Sequence, residues 1–184
     1  MSDTQWPRFE VFQQDKPGQR HYNVGSVHAP DAEMALLNAR DVFARRPRCH
    51  SMWVVPESAI SAWTYQELVE GVRDHSEFAA ALPQSYAIFR KELNTRNTLE
   101  HVVYTGELVA THPQEALEKA RRTFDDDMVV AVWWVVPVQA ITCSDPNEVD
   151  SLYAPALDKK YRQPNHYHTR TALETFRQQT HEED

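Results

Sequence analysis

Chemistry requires side chains of the right type at a spacing that lets them meet, and this chain offers few such sets. Cys49 and His50 are adjacent and could in principle form a nucleophilic or metal-binding pair. On a strand, however, neighbouring side chains point to opposite faces, so the two cannot easily serve one centre. His166 and His168 sit two residues apart and would share a face if extended, with His181 as a distant third. Two imidazoles make half a zinc site, so surface histidines in a tail are the simpler reading. Asp125, Asp126 and Asp127 form an acidic run, but their spacing is not that of a calcium-binding EF-hand loop. Glycine-rich phosphate loops, a GxSxG elbow and an HExxH helix are all absent. No Glu-x-x-His pair of the kind that ligates di-iron centres occurs. The residues therefore predict no catalytic residue, no metal and no cofactor bound by this chain.

Arg40 and Arg121 are the charged residues that recur at equivalent positions, and they lead back to the elements that would carry a site. WVVPESAI begins at Trp53 and WVVPVQAI at Trp134, an offset of 81. Aligned without gaps, residues 25–60 and 106–141 share 13 of 36 positions, among them Gly25/Gly106, Ala29/Ala110, Ala39/Ala120 and Phe43/Phe124. Roughly two matches are expected by accident at average residue usage. Upstream the offset is 77, where FEVF (9–12) meets YAIF (86–89). The change of register falls in a loop, where insertions are tolerated. Such internal repetition marks two copies of one unit.

Each copy reads as strand, strand, helix, strand. Strands are predicted at 9–13 and 86–90, at 22–28 and 102–109, and at 52–55 and 129–136. The last of these, VVAVWWVV, is apolar on both faces and so belongs in the interior of a sheet. Ala32, Leu36, Ala39 and Phe43 recur at helical spacing, after a predicted cap at Asp31. In the second copy the expected capping box is Thr111 with Gln114, beside Pro113 in the first turn. Thr64 and Glu67 predict a further box opening a helix in the linker. The fold expected is α+β: two tandem β-β-α-β units forming an intrachain pseudo-dimer, with a helical linker and an extended C-terminal tail. The boundaries are 6–60 and 86–143 for the units, 61–85 for the linker and 144–184 for the tail.

Charge narrows the function. The net charge is −8, which disfavours nucleic acid, since its binding relies on Lys and Arg neutralising phosphates. RNA stacking on sheet aromatics and attachment to anionic membranes are disfavoured on the same ground. No apolar run approaches the ~18 residues of a membrane span. With two non-equivalent cysteines and no signal-like N-terminus, a cytoplasmic location is expected. The loop charges of the copies are opposite: Arg45, Arg46 and Arg48 against Asp125, Asp126 and Asp127. The tail is rich in Tyr and Pro without core periodicity. Tyr153, Tyr161, Arg162 and Tyr167 are therefore candidate partner-docking residues, because Tyr and Arg dominate interface hot spots.

Particular residues resemble a known family. Trp6, Pro7, Glu10, Val11 and Phe12, then Gly25, Ser26, His28 and Ala29, then Ala35, Asn38, Ala39, Arg40 and Asp41, then Trp53 and Val54, are similar to the phenylacetic acid degradation protein PaaB family. The tail residues Tyr153, Pro155, Lys159, Tyr161, Arg162, Pro164 and Tyr167 resemble its closing motif. The resemblance implies the bridging component of a multicomponent phenylacetyl-CoA epoxidase. It implies a non-catalytic role, as a bridge between helical pairs containing the di-iron oxygenase subunit and its structural partner. Family members are typically one unit with one tail, whereas this chain looks like a fused tandem duplication. The alternative reading is an independent small-molecule-binding protein or enzyme built on a ferredoxin-like pseudo-dimer.

Overall fold

A computed structural model describes residues 6–44, 49–70, 82–93, 99–124 and 129–157. The elements in chain order are β1 (Arg8–Gln14), β2 (Tyr22–His28), α1 (Ala32–Phe43), β3 (Ser51–Pro56), β4 (Ser61–Thr64) and α2 (Tyr65–Glu70). They are followed by β5 (Gln84–Leu93), β6 (Leu99–Ala110), α3 (Pro113–Thr123), β7 (Val130–Pro137), β8 (Thr142–Cys143) and α4 (Val149–Leu157). The fold is α+β, and the strand pairings among the described residues are antiparallel.

The described strands form one eight-stranded sheet in the order β4-β7-β5-β6-β2-β1-β3-β8. Exchanging β1–β4 for β5–β8 reverses that order onto itself. The registers repeat as well. In β1–β2 a bulge follows the Val11–Gly25 pair, and in β5–β6 one follows the Ile88–Gly106 pair. Tyr22 pairs with Val103, its own counterpart at the offset of 81, where β2 meets β6.

Both WVVP stretches do the same work. Each strand ends on a proline, Pro56 or Pro137, whose missing N–H is tolerated at a strand end. A single 3₁₀ turn follows, closed by Ile60 N–H to Glu57 O (3.0 Å) or Ile141 N–H to Val138 O (3.1 Å). The chain then crosses to the other half. Ser61 faces Val135 on β7, and Thr142 faces Val54 on β3.

Side chains alternate across the sheet, as strand geometry requires. Phe9, Val11, Met52 and Val54 face α1, which lays Ala35 and Ala39 on them. Tyr86, Ile88, Trp133 and Val135 face α3 with Ala116, Leu117 and Ala120. The small alanines let each helix approach its strands closely. Phe12, Val55, Phe89, Val102 and Val136 take the opposite face and pack together as a third cluster. Two glycines are dictated by this packing. A methyl group on Gly25 would lie 3.0 Å from Phe43 Cζ, and one on Gly106 2.7 Å from Phe124 Cζ. Each phenylalanine at a helix end occupies the space over a glycine.

Helix starts follow local chemistry. Asp31 Oδ1 accepts from Met34 N–H (2.8 Å) as expected. Thr64 and Glu67 form the expected reciprocal box, with Thr64 N–H donating to Glu67 Oε2 (2.8 Å) and Glu67 N–H to Thr64 Oγ1 (3.3 Å). The expected Thr111/Gln114 box is shifted by one residue. Pro113 holds the first helical position, so His112 is the cap and its Nδ1 accepts from Glu115 N–H (3.1 Å). Glu115 Oε2 in turn accepts from Thr111 N–H (2.7 Å) and Thr111 Oγ1 (2.6 Å).

Two expected segments differ. Residues 61–64, expected in a helical linker, are strand β4, because β7 offers them a sheet edge. The tail is not extended throughout: 149–157 form α4, whose Val149, Leu152 and Tyr153 bury themselves on the core of α1 and β1. The rest of the expected linker helix, over 71–81, lies outside the described residues, as does 158–184.

Candidate functional site

The curled face of the sheet is where the two halves meet. Phe12 stacks near Phe89 with ring centroids 4.4 Å apart and meets Trp134 edge-on at 6.2 Å. Tyr104 meets both Trp53 (5.1 Å) and Phe89 (5.6 Å). Aromatic edges and offset faces suit one another electrostatically, so the cluster gains beyond its buried area. This region is filled with side chains.

Polar groups at its margin are satisfied and specific to the first half. Glu10 is buried and accepts from Arg8 Nη2 (2.8 Å) and Asn23 Nδ2 (2.9 Å), where the second half has Ala87. His21 is buried, stacks on Trp53 at 3.6 Å, and hydrogen-bonds Ser51 Oγ (3.0 Å). Burial, then the charge of nearby His50, pulls its pKa down to about 4, so the ring is neutral at pH 7. Val102 takes its place in the other half. Neither residue carried a warning in sequence: a lone His or Glu on a strand reads the same whichever face it takes.

The sequence candidates fall as follows. Cys49 is buried, and burial raises its thiol pKa to about 11, which leaves little thiolate to act as nucleophile or ligand. Cys143 is exposed and its thiol is also raised by desolvation. Arg40 pairs with its neighbour Asp41 (3.0 Å), and Arg121 is exposed in the last turn of α3. Tyr153 is 6% exposed, with its hydroxyl beside Cys49 and Ser144; burial and then Cys49 raise its pKa. Its ring is therefore core, and it is withdrawn from the docking set. Tyr161, Arg162 and Tyr167 lie outside the described residues, as do His166, His168, His181 and both charged loops. Among the described residues no group of three or more His, Cys, Asp or Glu is placed to hold a metal ion. No helix among them is long and apolar enough to cross a membrane. An open hollow of about 440 Å³ is lined by Thr64, Tyr65, Gln66, Val129 and Ala131, without a carboxylate, imidazole or thiol.

The outer faces of the two long helices differ. On α1, Met34 (41%), Leu37 (38%) and Val42 (43%) are exposed. At the offset of 81 their counterparts on α3 are Glu115, Glu118 and Thr123.

Comparison with known proteins agrees with these repeated elements. The family described as Phenylacetic acid degradation B matches this chain over residues 5–92 and again over 82–174. The chain is 52% identical over 62 residues to the B component of the 1,2-phenylacetyl-CoA epoxidase of Escherichia coli (strain K12). That stretch covers 34% of this chain and 65% of the relative, so the chain spans a little under two thirds of that protein's length. No solved structure matches. Matched twice along its length, the chain belongs to the Phenylacetic acid degradation B family.

Proposed function

We propose that this chain is a non-catalytic bridging subunit of a multicomponent di-iron oxygenase that acts on an aromatic acyl-CoA such as phenylacetyl-CoA. In this reading two family units are fused into an intrachain pseudo-dimer, free to differ in surface while keeping one scaffold. The observation that carries it is the double family match on a sheet whose strand order reads alike from both ends. The reciprocal exchange of β4 and β8 supports it, since each half completes the other's sheet. The partners are the di-iron catalytic subunit and its structural partner, and the iron belongs to the catalytic subunit. The chain works in the cytoplasm with no cofactor of its own. Tyr161, Arg162 and Tyr167 remain the tail residues proposed to dock.

Co-expression with the catalytic and structural subunits of the epoxidase assembly tests this. The expected result is one co-purifying complex, with iron only when the catalytic subunit is present. Stoichiometric iron on the isolated chain, turnover by it alone, or failure to co-purify would each overturn the reading.

A further inference from the structure

Residues of the two halves meet as they would in a pair of identical chains related by a two-fold axis. In such a pair, residues at the axis touch their own counterparts, and every other contact is made twice. Tyr22 pairs with Val103, its counterpart at the offset of 81. The Phe12 ring lies 4.4 Å from that of Phe89, its counterpart at the offset of 77. Away from the axis the contacts are reciprocal. Ser61 and Ala62 face Val135 and Trp134, while Thr142 and Cys143 face Val54 and Trp53, which are the same pairings with the halves exchanged. The matched stretch is 34% of this chain but 65% of the curated relative, so that relative is about half as long and has length for one such unit.

This pairing surface is used up within the chain. Phe12, Val55, Phe89 and Val136 are fully buried in the cluster the halves share. The edge that β3 would offer to a second unit holds β8, and the equivalent edge of β7 holds β4. A separate unit could enter only by displacing one of the chain's own halves. A tether holds that half at an effective concentration on the order of millimolar. A competitor at micromolar concentration is therefore disfavoured by roughly a thousandfold. We infer that the surface on which one family unit accepts another is filled in cis, so that this chain enters an assembly as a single copy and takes up neither a second copy of itself nor a separate single-unit protein of the family. The inference rests on the pseudo-dimer reading above and adds which partner occupies the pairing surface and which are shut out.

The test uses the full chain with a protease site placed within residues 71–81, between the halves. Uncut, it should sediment as a monomer. Unfolded in urea and refolded at micromolar concentration with a differently tagged copy, or with the Escherichia coli relative, it should give no mixed species. Cleavage removes the tether and keeps the contacts. The cut halves should still pair at tens of micromolar, on the order of the concentrations at which untethered subunits meet without a tether's gain. Refolded with tagged cut chain, they should now mix freely, with at least about a hundredfold more mixed species than the uncut chain gives. A dimer of the uncut chain, or its uptake of the relative, overturns the inference. So do cut halves that no longer pair, or that mix no more than the uncut chain does. Co-purification with the oxygenase subunits judges the bridging role separately, so a monomer that fails to co-purify leaves this inference standing and overturns that one.

Discussion

The rings of Phe12 and Phe89 lie 4.4 Å apart at 35°, although β6 and β2 separate their strands in the sheet. On a flat sheet three strand spacings would hold them about 14 Å apart. The sheet is therefore curled, and these two equivalent residues close its inner face. Both are fully buried. Phe12→Ala and Phe89→Ala should each destabilise the chain by about 3–5 kcal/mol. Because the rings touch, the double variant should lose less than the sum, with a coupling of about 0.5–3 kcal/mol. Urea unfolding of the four proteins in the cycle measures this, and strict additivity would contradict the contact.

The glycines facing the helix ends should respond differently to the same change. Gly106→Ala pushes a methyl group against Phe124 and should cost about 1–3 kcal/mol, most of it recovered when Phe124→Leu is added. Gly25 also has a φ of +135°, where a side chain is strained whatever the space. Gly25→Ala should therefore be only partly rescued by Phe43→Leu. Full rescue at both sites would mean that crowding alone is involved.

Stability should fall on acidification in two windows. His21 binds its proton less readily when folded, with a pKa lowered from 6.5 to about 4. The unfolded chain thus holds more protons between those values, and stability drops as pH falls from about 6.5 towards 4. The effect is on the order of 2 kcal/mol, given about 1.4 kcal/mol per pK unit and some residual solvation. Glu115 is lowered from 4.5 to about 2 by Lys119 and then Thr111, so its contribution is present above about 4.5 and is lost as pH falls towards 2. His21→Val, the residue of the other half, should flatten the upper window and leave the lower one. Melting temperatures across both windows, from about pH 8 down to about pH 2, decide it; an unchanged upper slope would remove His21 as the cause.

The tail should divide into two parts at about residue 157. Val149, Leu152 and Tyr153 cover the first core, so deleting 149–184 should lower the melting temperature sharply. Tyr153→Ala alone should cost about 3 kcal/mol. Deleting 158–184 should leave the fold near its parental stability while weakening co-purification with the partner subunits. If the shorter deletion still assembles normally, Tyr161, Arg162 and Tyr167 do not dock.

Local and periodic features were legible along the chain itself. The 81-residue offset exposed the repeated units, the apolar WVVP stretches marked β3 and β7, the spacing of Ala32, Leu36, Ala39 and Phe43 located α1, and Asp31 and the Thr64/Glu67 box marked helix starts. These features depend on neighbours a few residues away, or on self-similarity, and so are written in the order of residues. The resemblance to the family was legible for the same reason. Tertiary structure alone decided which half each short strand completes. Ser61–Thr64 and Thr142–Cys143 are too short to announce themselves, and they become strands only because an edge of the other half lies within reach. It likewise buried Tyr153 on α1 rather than leaving it for a partner, since an aromatic ring suits a core and an interface equally until its neighbours are known. The same holds for His21: only the stacking on Trp53 and the loss of water around it make its charge state a property of the fold.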